Sequence, residues 1–231
     1  MMALGRYQVS LLLRSHRWIP AAVIYIIGVV GLGGVGGPAT GQGAALGQGL
    51  SWSALMLVPA VAWLTRSVLT AEPAAARAVA AAAGGVRRAQ LSALSAALGF
   101  GVALGLAGFA WEIATAGVIR SASTNSVMIG ATLAHLGHGL IASLICLLVG
   151  SAIGALCNPP VITSPAASML TSTAAVVLGL VWSVSPANAA VRAGYGGTQS
   201  TWPTGLPVIS AVALLVLAWG ISARVAARRG G

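Results

Sequence analysis

Lysine and aspartate are absent from these 231 residues, and the only acidic side chains are Glu72 and Glu112. Charged residues make up 6% of the chain against 58% hydrophobic, whereas a soluble domain carries about 25% charged. Composition therefore excludes an ordinary water-facing fold, and a mean hydropathy of +0.94 agrees. Without lysine there is no Walker A loop, so the chain cannot hydrolyse ATP by that route. Without aspartate there is no carboxylate dyad of the aspartic type, and no serine–histidine pairing stands out. Cysteine is scarce as well. Cys146 and Cys157 would lie ~16 Å apart along one helix, too far to pair, and neither has metal-type spacing. Both read as small packing residues.

What the chain does have is arginine in groups. Ten of twelve fall into Arg6/Arg14/Arg17, Arg66/Arg77/Arg87/Arg88 and Arg224/Arg228/Arg229. Apolar runs long enough to cross a bilayer and return separate these groups. Basic residues are retained on the cytoplasmic side of a membrane, so the spacing predicts topology as well as location. The net charge of +10 does not point to nucleic acid, because the arginines flank apolar runs and form no separate basic domain. Anionic lipid headgroups are the simpler partner. The first apolar block, residues 19 to 36, is long for a secretory signal core and further apolar blocks follow, so it reads as a retained span.

The expected fold is all-α: a polytopic membrane protein forming one domain over residues 1 to 231, with no fixed-period repeat. There is room for about six spans of ~20 residues. They are placed at about 18–36, 50–69, 91–117, 127–156, 167–184 and 206–225. Residues 3 to 17 form an amphipathic segment, with Arg6, Ser10, Arg14 and Arg17 within an arc of roughly 80° and Leu4, Tyr7 and Leu11 on another side. This predicts a helix lying in the headgroup layer before the chain turns inward at Trp18; the alternative is a frayed basic tail. Gly37 to Gly49 reads as an external loop, Pro59 as a bend and Arg66 as a snorkelling residue. Gly101/Gly105 and Gly150/Gly154 each form a small-residue groove that permits close helix contact. Arg120 to Asn125 reads as an external turn and Cys157 to Pro165 as a tight inner turn. Ser185-Pro186 opens a short external helix, Ala187 to Ala193, or else a simple connecting loop. Both termini are then cytoplasmic, with only Arg120 and Arg192 outside.

One cytoplasmic segment, residues 70 to 90, is unusual. Thr70-Ala-Glu72-Pro73 suits a helix start, and the alanine run from Ala74 to Ala83, interrupted by Arg77 and Val79, is a strong helix former. Gly84-Gly85 stops it and Arg87-Arg88 lead into the third span. Such a helix has too few large apolar side chains to insert deeply or build a core. It is either an interfacial alanine spacer or a docking helix that fits a groove on another protein.

This layout resembles the permease subunits of ATP-binding-cassette exporters of the ABC-2 type, particularly small actinobacterial members. The strings that carry the likeness are Leu13-Arg-Ser-His-Arg-Trp18, Leu69-Thr-Ala-Glu-Pro-Ala-Ala-Ala-Arg77, Gly154-Ala-Leu-Cys-Asn-Pro-Pro160 and Ser185-Pro-Ala-Asn-Ala-Ala-Val-Arg192. The resemblance implies a pore-forming subunit that pairs with a second permease chain, identical or not, and with two cytoplasmic ATPases. ATP and magnesium would sit on those ATPases, with no cofactor or metal in this chain. It also implies coupling through Glu72, Pro73, Arg77, Gly84, Gly85, Arg87 and Arg88. The external segments are too short for a large extracellular domain.

Glu112, His135 and His138 are the ionisable residues expected inside spans, where such groups are costly and are functional candidates. Antiparallel neighbours could bring Glu112 and His135 to similar depth for a charge-assisted hydrogen bond. The competing roles are a structural bond between spans, a polar lining of a substrate path, and a metal or proton site. Three functions follow for the chain: an exporter permease working by alternating access, a non-transporting scaffold, or an intramembrane enzyme built on Glu112, His135 and His138.

Overall fold

The computed structural model describes residues 2–32, 42–72, 74–115, 126–194 and 205–229. Within them the chain is all-α. Helix α1 is Met2–Ser15; α2 is Ile19–Ile27, continued as a π-helical turn Gly28–Leu32. Then come α3 Gln42–Ala71, α4 Ala74–Gly84, α5 Val86–Thr115 and α6 Ser126–Leu156. The last three are α7 Pro165–Val181, α8 Pro186–Gly194 and α9 Gly205–Arg229. Four helices among the described residues, α3, α5, α6 and α9, are long and apolar enough to cross a membrane. There are up to five if α7 and α8, bent by 45°, count as one. This is the architecture of a polytopic membrane protein.

Helix α3 is the axis. It packs against α6, α5, α2, α8, α1 and α7, and its Ala54, Leu57, Val58, Ala60 and Val61 are fully buried. Both small-residue grooves face it. A Cβ on Gly101 or Gly105 of α5 would stand 3.0 Å from Val61 and 3.3 Å from Leu57, while one on Gly150 of α6 would stand 2.7 Å from the Val58 carbonyl. The glycines let α5 and α6 approach neighbouring faces of α3 that share Val61, where close packing replaces the hydrophobic drive that lipid does not supply. α5 and α9 keep most of their apolar surface outward, and α7 is exposed over most of its circumference.

Several boundaries depart from the sequence pattern. Residues 42 to 49, expected as loop, are the first turns of α3, because Leu46 and Leu50 bury against the bundle and outweigh the glycine content. α5 begins at Val86 rather than Leu91. α1 ends at Ser15, and His16 takes a left-handed φ of 55°, so Arg17 leaves the basic arc and donates instead to the Thr70 carbonyl at 2.8 Å. Its buried face is Gln8 and Leu12, not the side carrying Tyr7, which is exposed. α3 runs through Pro59. The short helix after Ser185-Pro186 is present as α8. Residues 33–36 of the first expected span, 116–117 of the third, and the turn containing Arg120 lie outside the described residues.

Candidate functional site

One end of the bundle gathers most of the arginine-bearing segments, α1, the end of α3, α4, the start of α5 and the end of α9, beside the uncharged turn after α6. Side-chain bonds tie these pieces together. Gln8 of α1 donates to the Glu72 carboxylate at 3.3 Å, and Gln90 of α5 donates to Ser222 of α9 at 3.0 Å. Arg229 donates to the Pro160 carbonyl in the turn after α6.

α4 is built as its composition requires. Alanine loses no side-chain entropy in a helix. The stop comes from Gly85, whose φ of 83° is a conformation other residues adopt at a cost. The Gly85 amide donates to the Ala81 carbonyl at 2.8 Å, closing α4, and its carbonyl accepts from Ala89 at 3.1 Å, opening α5. α4 packs mainly on α5. Its Val79 is 69% exposed, an apolar side chain turned away from the bundle. Of the coupling residues expected from the sequence, Glu72 is buried beside α1, Arg77 falls in the first turn of α4, and Gly84 is its last residue. Arg87 and Arg88 stand exposed in the first turn of α5, and Pro73 lies outside the described residues. Behind α4 is a cavity of about 530 Å³ walled largely by alanine, valine and proline.

A cluster with little sequence signal holds the same end. Arg66 of α3, expected to snorkel, is half-buried and donates to Ser168 of α7 at 2.7 Å and to Asn158 at 3.5 Å. Ser168 donates to the Asn158 carbonyl oxygen at 2.7 Å, and the Asn158 amide donates to the Gly154 carbonyl at 2.7 Å. Asn158 is wholly buried. The guanidinium bends inward because these acceptors satisfy it there. Next to Asn158, burial raises the Cys157 thiol, with a hydrogen bond to Thr171 opposing in part, so it carries less thiolate than a free cysteine.

At the far end the three ionisable residues occupy one level but not one site. Glu112 packs over Gly49 of α3, near Tyr25, whose ring covers Gly108. His135 and His138 face a pocket of about 140 Å³ with Gly47 and Ser51 of the same helix. Residues turn about 100° each, so Gly47 and Ser51 share a face and Gly49 points ~160° away. α3 therefore stands between the carboxylate and the imidazoles, and no hydrogen bond joins Glu112 to His135 among the described residues. Nor do three metal-ligating side chains converge there. His138 bonds through Nδ1 to the Ala134 carbonyl at 2.8 Å.

Because the atom nearest a Cβ at Gly49 is the tip of the flexible Glu112 side chain, Gly49→Ala is expected to lower Tm only modestly. The double variant Gly49→Ala/Glu112→Ala should recover that loss, as residues in contact couple. Additive losses in a thermal-shift assay would show that the two do not touch.

No protein-family model matches this chain, and neither a curated protein nor a solved structure gives a match.

Proposed function

We propose that the chain is the membrane-spanning permease subunit of an ATP-driven exporter, forming the translocation path and coupling to separate ATPase subunits. The observation that carries this reading is α4. It is a rigid alanine helix at the arginine-rich end, held by defined breaks, leaning on little besides α5 and presenting Val79 outward. A helix so free of its own bundle suits transmission of force from a bound partner. The six-span topology of the ABC-2 type belongs to the same reading. The apolar helix Ile19–Gly31 begins the first span, α7 is the fifth with α8 as the short outer helix bent 45° from it, and both termini lie in the cytoplasm of a plasma-membrane protein. Only the arginine-poor end, with Arg192, then faces outward. A second permease chain completes the path, and ATP and magnesium bind the partner ATPases.

Affinity capture from native membranes tests this. The wild type is expected to bring down an ATPase with a Walker A motif, and Val79→Glu to lose it while keeping the wild-type Tm in detergent. A wild type that retains other membrane partners but no ATPase would favour a scaffold and overturn the proposal.

A further inference from the structure

The cavity behind α4 lies among the end of α3, the start of α5, the Pro159–Pro160 turn and the end of α9. Its volume of about 530 Å³ falls within the ~300–1,000 Å³ typical of sites for small organic ligands. Among the described residues three polar side chains line it, Glu72, Gln90 and Arg229, and each already bonds to protein: to Gln8, to Ser222 and to the Pro160 carbonyl. The remaining walls are aliphatic. Roomy apolar cavities stay dry and accept hydrocarbon. The described α4 side chains on its wall, Ala78, Ala81 and Ala82, are too short to fill the space.

Charge defines the other half of the occupant. Arg87 and Arg88 on α5, and Arg224, Arg228 and Arg229 on α9, are exposed on the two helices that flank the cavity. The acid at this end is Glu72, already accepting from Gln8. A hydrocarbon tail ending in an anion matches both parts, and near a membrane surface each arginine adds about 1 kcal/mol toward an anionic lipid.

We infer that this cavity holds one acyl chain of an anionic phospholipid, with its phosphate at Arg229 and the neighbouring arginines. The inference rests on the membrane architecture and not on ATPase coupling, so the lipid experiment can fail while the capture experiment succeeds. A lipid seated there would wedge between α4 and α9 and set the angle at which α4 is presented.

Purified full-length protein in neutral detergent is titrated with phosphatidylglycerol or phosphatidylcholine, and bound lipid is counted by native mass spectrometry alongside Tm. Phosphatidylglycerol is expected to give one retained molecule and a raised Tm, with phosphatidylcholine well below it. Ala82→Phe adds a ring at an exposed α4 position that lines the cavity, so the fold tolerates it while the retained lipid is lost. Arg229→Gln should weaken phosphatidylglycerol about fivefold and leave phosphatidylcholine unchanged. Equal retention of the two lipids would overturn the headgroup assignment. Undiminished retention by Ala82→Phe would place the lipid on the outer surface and overturn the site.

Discussion

Gly150→Leu is expected to abolish the folded bundle. The contact between α6 and α3 is the broadest among the described residues, and at Gly150 it is a contact between backbones. A Cβ there would lie 2.7 Å from the Val58 carbonyl oxygen and 3.2 Å from its Cα. One turn on, a Cβ at Gly154 would lie 2.5 Å from the Thr65 Cβ and 3.0 Å from the Ala62 carbonyl. A flexible side chain could rotate aside, but a helix backbone cannot, so the whole interface must open. Added methyl groups in packed cores cost about 1–3 kcal/mol, and leucine adds several at a seam without slack. Marginal stabilities of about 5–15 kcal/mol are then heavily eroded. Gly150→Ala should give an intermediate loss. Gly137→Ala supplies the control, since it lies on the same helix with nothing within 4 Å of the added Cβ. Thermal melts and size-exclusion profiles in detergent report the series, and a Gly150→Leu protein melting like the wild type would refute the close α3–α6 seam.

The two glycine pairs were legible because a four-residue spacing puts small residues on one helix face whatever the fold. Which helix they meet was not, and both turn out to meet α3. The bounds of α4 were legible for a similar local reason: an alanine run followed by paired glycines leaves the backbone few alternatives. Gln42 to Gly49 misled because a charge-free stretch rich in glycine resembles a loop until burial of Leu46 and Leu50 is counted, and burial is a property of the neighbours. Depth along a span could be counted from the sequence, and Glu112 does lie level with His135. Azimuth could not, since it depends on how each helix is rotated about its axis, and α3 separates the two. The Arg66–Asn158–Ser168 cluster is assembled from positions far apart in the chain, each ordinary on its own.

That cluster yields the second large effect, and Asn158→Leu is its probe. Asn158 stands at the junction of α3, α6 and α7. Its carbonyl oxygen accepts from Ser168 and Arg66 while its amide caps the Gly154 carbonyl, and no solvent reaches it to replace a lost partner. Leucine matches its size but offers neither group. The half-buried guanidinium then keeps only Ser168, and Ser168 loses its acceptor. Hydrogen bonds to charged groups contribute about 1.5–3 kcal/mol each and neutral ones about 1, so a total loss of roughly 3 kcal/mol is expected after allowing for partial exposure of Arg66. Ser168→Ala should cost less, because Arg66 can still reach Asn158. Combining Arg66→Met with Asn158→Leu should cost less than the sum of the two, because both ends of the same unmet need are removed together. α7 has few other attachments: among the described residues it touches α3, α6 and α8 and little else, so loss of the cluster should free its base before the rest of the bundle yields. Cys157 reports that directly. Burial holds its thiol up and half-covered, whereas Cys146 is enclosed in the core. Maleimide should therefore label Cys157 faster in Asn158→Leu than in the wild type while Cys146 remains protected. Equal acceleration at both cysteines would mean that the bundle unfolds as a whole, and no acceleration at either would mean that the cluster does not anchor α7.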